Sequence, residues 1–109
     1  MSWTLTFRPK AQDDFDKLDG TQKSLVIKRL TKVLKNPLPK QEGGYGEPLG
    51  NRDGIDLTGC LKIKMKKAGI RIVYTLERSE ENMEVIIIGM RAGLEVYRDT
   101  AKRIGRAVK

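Results

Sequence analysis

The chain contains no histidine. That one absence removes the commonest general base, the commonest zinc ligand and every Ser-His or Cys-His catalytic arrangement. A single cysteine, Cys60, excludes an internal disulfide and a thiolate metal cluster and suits a reducing compartment. Placed just ahead of an alternating apolar stretch, it reads as a small, semi-buried residue. No apolar run approaches membrane-spanning length, and the opening MSWTLTFRPK lacks the apolar core of a signal peptide. A cytoplasmic protein with no membrane partner is therefore expected. Acidic residues are also in short supply, 14 against 22 Lys and Arg, for a formal charge of +8. A chain this basic usually meets nucleic acid, an acidic protein or an anionic surface. The competing reading is a solvated surface that serves only solubility.

What is present reads as one domain, 1–109, with enough apolar residues (39%) for a core and too little length for two. The most informative stretch is LKIKMKKAGIRIVYT, Leu61 to Thr75. Leu61, Ile63 and Met65 alternate with lysines, and Ile70, Ile72 and Tyr74 alternate with Arg71, Val73 and Thr75, the period of half-buried strands. A four-residue loop, 66–69, with Gly69 at positive φ, would pair Met65 with Ile70, Ile63 with Ile72 and Leu61 with Tyr74. The same register sets Lys64 against Arg71, with Lys62 diagonal to it, on the opposite face. Like charges facing each other on a sheet are unfavourable unless an anion lies on them.

Around this hairpin, Trp3, Leu5 and Phe7 mark a first strand, with Trp3 expected in the core. Pro9 opens a short helix carrying Ala11, Phe15 and Leu18 and ending at Asp19-Gly20. Thr21 is the expected N-cap of a second helix with the stripe Val26, Leu30, Val33 and Leu34, widened by Leu25 and Ile27; its other face carries Lys23, Lys28, Arg29, Lys32 and Lys35. Asn36-Pro37 stops it. Residues 37–54, rich in Gly, Pro, Asn and Asp, read as a long surface loop, whose glycines lack the Gly-Lys-Ser/Thr of a phosphate cradle. The run 83–90 is a strand apolar on both faces, hence a covered one. A basic amphipathic helix follows, with the stripe Leu94, Tyr97, Ala101, Ile104 and Val108. The expected class is α+β: an N-terminal strand, a helical hairpin, a three-stranded antiparallel meander and a basic C-terminal helix.

Lys62-x-Lys64, Arg71 in Gly-Ile-Arg-Ile-Val-Tyr, Arg91 after an apolar strand, and Glu95-Val96-Tyr97 opening a basic helix together resemble the RelE toxins of the RelE/ParE superfamily. The resemblance extends over nearly the whole chain, including the Pro48-Leu49-Gly50 segment. It implies the RelE-like microbial RNase fold and a small endoribonuclease that cuts mRNA in the ribosomal A site and is held inactive by a cognate antitoxin. It implies proton transfer for Lys62 and Lys64, charge stabilisation at the scissile phosphate for Arg71 and Arg91, and orientation or activation of the nucleophile for Tyr97. Leu61 departs from the aromatic residue frequent at that position, and the 43–54 segment is longer than usual.

The residue types themselves suit such chemistry. RNA supplies its own nucleophile, the 2′-hydroxyl, so cleavage needs only a base, an acid and cations around the phosphorane, with no cofactor or metal. Without histidine, proton transfer falls to Lys, Tyr or a carboxylate, and each cationic neighbour makes a lysine easier to deprotonate. Arginines offer permanently charged, forked donors to phosphate oxygens. Lys66, Lys67, Arg98, Lys102, Arg103 and Arg106 are expected to bind RNA or ribosomal phosphates. Three structural alternatives stand beside these roles: the lysines as gatekeepers of a sheet edge, Arg71 and Arg91 as ion-pair partners of Glu84 or Glu77, and Tyr97 as a core residue. At the level of function, the alternatives are a ParE-like inhibitor of DNA gyrase with no nuclease site and an RNA-binding protein without turnover.

Overall fold

The computed structural model describes residues 3–52, 54–90 and 93–106. Among these the order is β1 (Thr4–Phe7), α1 (Pro9–Asp16), α2 (Gly20–Val33), a 3-10 turn at Lys40–Glu42, β2 (Glu47–Arg52), β3 (Ile55–Met65), β4 (Ile70–Glu77), a second 3-10 turn at Arg78–Glu80, β5 (Asn82–Gly89) and α3 (Gly93–Arg103). The strands form one mixed sheet ordered β1-β5-β4-β3-β2, in which β1 runs parallel to β5 and the other pairs are antiparallel. The α+β expectation holds, with one strand more than the meander foresaw.

The hairpin register is the one its alternation demands: Met65 faces Ile70, Ile63 faces Ile72, Leu61 faces Tyr74 and Lys64 faces Arg71. Gly69 takes φ +67° in the connecting turn. The apolar set of this ribbon packs beneath Val26, Leu30 and Val33 of α2, with Ala11 and Leu18, and continues into Met83, Val85 and Ile88. Leu25 and Ile27, expected to widen that stripe, are exposed instead, because the sheet contacts one side of α2 only. Trp3 is half-buried and lies outside both cores.

The opposite face of the sheet is not simply a charged surface. Leu49, Ile55, Leu57, Cys60, Val73 and Ile87 form a second core under Val96, Tyr97 and Ala101 of α3. The alternation of β3 conceals this, because Ile55 and Leu57 would share a face with Leu61 in an unbroken strand. A bulge intervenes: Pro48 pairs with Leu61 but Gly50 pairs with Leu57, and Gly59 takes φ +89° between them. Four steps of β3 thus span two of β2, and the break in alternation at Gly59 sends Ile55 and Leu57 to the α3 side. Cys60 is fully buried there, and burial pushes its thiol above its ordinary range.

Two further expectations need correction. Asp19, not Thr21, caps α2: its Oδ1 accepts from Gln22 N at 2.8 Å, and Asp19 N donates to Gln22 Oε1 at 3.0 Å. The carboxylate prevails because it offers a formal negative charge to the helix N-terminus and has a glutamine three residues on. Residues 37–54 are not a featureless loop either. They hold the Lys40–Glu42 turn and β2, whose Pro48 and Gly50 disguise it in sequence. As the last strand of the order, β2 tolerates both, since an edge strand has one side free of ladder bonds.

The C-terminal end of α3 is fastened to the sheet by side chains. The register of β4 and β5 shifts so that Ile86 is an extra residue, and β1 ends at Phe7, opposite Val85. Beyond that point the backbone of β5 has no strand partner on that side among the described residues. Asp14 Oδ2 accepts from Ile88 N at 3.1 Å, and Arg103 Nη1 donates to Ile86 O at 2.9 Å. Arg103 Nη1 also lies 2.7 Å from Asp14 Oδ2, and Arg8 donates to Arg103 O at 2.8 Å while holding Glu84 at 3.0 Å. These pairs replace the missing strand and tie α3 to α1.

Candidate active site

Lys62, Lys64 and Arg71 project from the α3 face of β3 and β4, the face opposite Ile63 and Ile72. The strand ladder fixes their backbone positions without help from flexible loops. Tyr97 comes from the first turns of α3; its ring lies in the second core and its hydroxyl accepts from Lys62 Nζ at 3.4 Å. Tyr97 therefore serves as a core residue through its ring and meets the lysine through its oxygen. Lys62 is only 12% exposed in its side chain and has a second neighbour that the sequence did not suggest: Glu47, its cross-strand partner on β2, with Oε2 3.6 Å from Nζ. Lys64 is exposed and stands in register with the half-buried Arg71. The structure thus brings Lys62, Lys64, Arg71 and Tyr97 together. Arg91 lies outside the described residues.

The second set of cations divides. Lys66 and Lys67 are exposed at the hairpin tip, and Arg98 and Lys102 are exposed on α3. Arg103, expected among them, is turned inward and engaged with Asp14 and the β5 backbone. Arg106 donates to Asp56 O at 3.2 Å and lies 3.6 Å from Asp56 Oδ1. Helical spacing alone does not reveal the partner of Arg103, 89 residues away, whereas the Arg106 pair stays at the surface, 36% and 58% exposed. Of the ion-pair partners considered for Arg71 and Arg91, Glu84 is held by Arg8 and Glu77 accepts from Ser79 Oγ.

Beside Lys62 and Lys64 lies a groove of about 240 Å3 between α2 and the β2–β3 edge, lined also by Arg29, Lys32, Lys40, Tyr45 and Glu47. These residues escaped the sequence reading: Arg29 and Lys32 look like a solvated helix face, and the others fall in the segment read as loop. The carboxyl of Glu47 is held below its ordinary range chiefly by the hydrogen bond from Lys40 at 2.9 Å, with Lys62 adding attraction. A lowered folded value means that the contribution of this cluster to stability is complete above the unfolded value, near 4.5, and drains away as pH falls through the folded one. Glu47→Gln should remove this dependence, so the drop in melting temperature between pH 5 and pH 3 should be smaller than in the wild type, as measured by thermal unfolding.

Three comparisons bear on the chain. The mRNA interferase toxin RelE of Escherichia coli K12 is 31% identical over 104 residues, covering 95% of this chain and 99% of that protein. An arginine-to-alanine double mutant of the E. coli RelE toxin, solved in the free state, superposes with a TM-score of 0.71 at 29% identity, covering 95% of this chain and 99% of that one. The toxin within the intact E. coli RelBE toxin-antitoxin complex gives a TM-score of 0.63 at 26% identity over 84% of this chain and 99% of that one. No family model matches the chain.

Proposed function

We propose, from the premise that this chain belongs to the RelE family of mRNA interferase toxins, that it is a metal-independent endoribonuclease. Its substrate is messenger RNA in the ribosomal A site, cleaved by attack of the 2′-hydroxyl on the adjacent phosphate. The observation that carries this reading is the gathering of Lys62, Lys64, Arg71 and Tyr97 on one sheet face, with Lys62 Nζ against the Tyr97 hydroxyl. A protein that inhibited gyrase by surface contact alone would have no need to bury a lysine beside a phenol.

In the proposed reaction the Tyr97 oxygen and Lys62 Nζ lie at the 2′-hydroxyl, orienting it and relaying its proton. Lys64 protonates the departing 5′-oxygen, and Arg71 donates to the non-bridging oxygens as their charge grows. Arg91, two residues beyond the end of β5 in sequence, adds a second guanidinium to that charge. The strand ladder holds the cations before substrate arrives, so little reorganisation is needed at the moment of reaction. Orientation of the message is left to the ribosome, met through phosphate contacts by Lys66, Lys67, Arg98 and Lys102. The toxin named in the RelBE complex is held with an antitoxin, and we assign this chain a cognate antitoxin, an acidic or amphipathic partner of its basic surface, in the cytoplasm.

The test compares programmed ribosomes carrying message with the same transcript free in solution, each with and without EDTA. Under chelation, polyamine cations take the place of magnesium in holding the ribosomes together. Cleavage on the ribosome, unchanged by chelation and far slower on naked transcript, is the expected result. Running translation together with blocked DNA supercoiling would replace this reading with the gyrase one.

A further inference from the structure

The groove next to the proposed site contains a feature that proton transfer and charge stabilisation do not use. Tyr45 stands 44% exposed on the segment between the Lys40–Glu42 turn and β2. An exposed aromatic ring on a loop is usually free to move, but the backbone here is clamped. Tyr45 N donates to Asn36 O at 3.1 Å, Gly46 N to Leu38 O at 3.1 Å and Lys40 N to Gly46 O at 2.8 Å. The flanking glycines permit this closeness: a Cβ at Gly44 would overlap the Leu38 carbonyl, and one at Gly46 would overlap the Tyr74 hydroxyl. That hydroxyl, on a fully buried ring of β4, donates to Pro37 O at 2.8 Å. The segment is a shelf bolted to the main core, with Tyr45 at its lip.

The surroundings of the ring are cationic. Lys32 Nζ lies over it, 5.4 Å from the centroid, and the described lining of the groove sets five cations, Arg29, Lys32, Lys40, Lys62 and Lys64, against the single carboxylate of Glu47. A rigid, half-exposed aromatic ring within a cationic groove is the combination by which proteins hold single-stranded nucleic acid, the cations following the backbone and the ring stacking a base. A solubilising surface would have no use for a clamped aromatic. A site for a bare anion would have no use for the ring.

We infer that Tyr45 is a stacking platform for a base of the message adjoining the scissile phosphate, with Arg29, Lys32 and Lys40 on the phosphates leading to it. Lys62 and Lys64 also contribute to the lining of this groove, so a strand with its phosphate on their α3-side ammonium groups need only cross the β3 edge beside Glu47 to reach Tyr45. This inference rests on the nuclease reading above, and it assigns to the shelf a share in substrate binding and in preference among bases.

The test is single-turnover cleavage on programmed ribosomes with the protein in excess, using wild type, Y45A and Y45F. Messages are natural or carry an abasic nucleotide at one position flanking the cut. Y45A should raise the half-saturating protein concentration about tenfold or more, the range for loss of one stacked base, while Y45F stays within twofold of wild type. At one flanking position the abasic message should weaken the wild type by a similar factor and leave Y45A unchanged. If Y45A matches the wild type, or if the abasic penalty is equal in both, the stacking site is overturned while the nuclease reading stands. Loss in Y45F as large as in Y45A also overturns it, assigning the effect to the hydroxyl. No cleavage by the wild type overturns the nuclease reading, and this inference with it.

Discussion

Replacing Arg71 by alanine is expected to slow cleavage of ribosome-bound message about 10²–10³-fold, the usual loss for one donor aimed at a developing oxyanion. Arg71 lies on the central strand β4, one residue in from the hairpin turn, in register with Lys64 on β3 and Gly89 on β5. Its backbone neighbours on both sides are therefore fixed by strand pairing. Ile70 and Ile72, which flank it in sequence, are fully buried on the other face, so the substitution leaves the main core untouched. The loss should appear in the rate at saturating protein and much less in the half-saturating concentration, because the charge it meets is largest in the transition state. Arg71→Lys should recover only part of the rate, since an ammonium keeps the charge without the fork. Single-turnover cleavage measures both, and a change below threefold in R71A would remove Arg71 from the reaction.

The second large effect concerns stability. Asp14→Ala should lower the unfolding free energy by about 3 kcal/mol, the scale for removing one partner of a largely buried ion pair. Asp14 and Arg103 are only 18% and 17% exposed in their side chains, so solvent replaces little of what is lost. The substitution leaves the Arg103 guanidinium short of its counter-charge and Ile88 N without its acceptor. Adding Arg103→Met to Asp14→Ala should recover part of the loss, because neither charge is then left unpaired, although Ile86 O then loses its donor. Because the pair ties down the end of α3, whose opening turns carry Tyr97, the unfolding loss in D14A should come with slower cleavage below the melting temperature. Urea unfolding at neutral pH gives the first quantity; a loss below about 1 kcal/mol, the scale of an exposed pair, would show that α3 is held by its apolar face alone.

The parts of the fold legible in the sequence are those in which local period and tertiary burial agree. The 61–75 alternation determines its own register because any slip would turn Ile63 and Ile72 to the wrong face. The run Val85 to Ile88 signals cover on both faces, and it has cover on both. Where a single residue alters the period, the pattern misleads. Gly59 reverses the parity of β3 and thereby conceals the second core, and Ile86 does the same in β5. β2 carries no period because pairing with the long β3, rather than side-chain burial, makes it a strand.

The same division runs through the candidate site. Lys62, Lys64, Arg71 and Tyr97 are marked by their places in periodic elements and by the family resemblance. Glu47 and Tyr45 come from the aperiodic segment, and their nearness to Lys62 depends on how that segment folds back over β3. Arg103 illustrates the reverse error: its spacing puts it on a basic helix face, while Asp14, far away in sequence, draws it inward. Charge patterns report which side chains are cationic. Partners decide which of them remain exposed.

The measurement closest to the central claim, that these cations converge on a phosphodiester attacked by its own ribose, is cleavage of ribosome-bound message in which the nucleotide 5′ to the cut carries 2′-deoxyribose. The unmodified message should yield a 2′,3′-cyclic phosphate and a free 5′-hydroxyl, and the deoxy message should remain intact at that position. Cutting of the deoxy message at an undiminished rate, or a 5′-phosphate on the downstream product, would contradict the account.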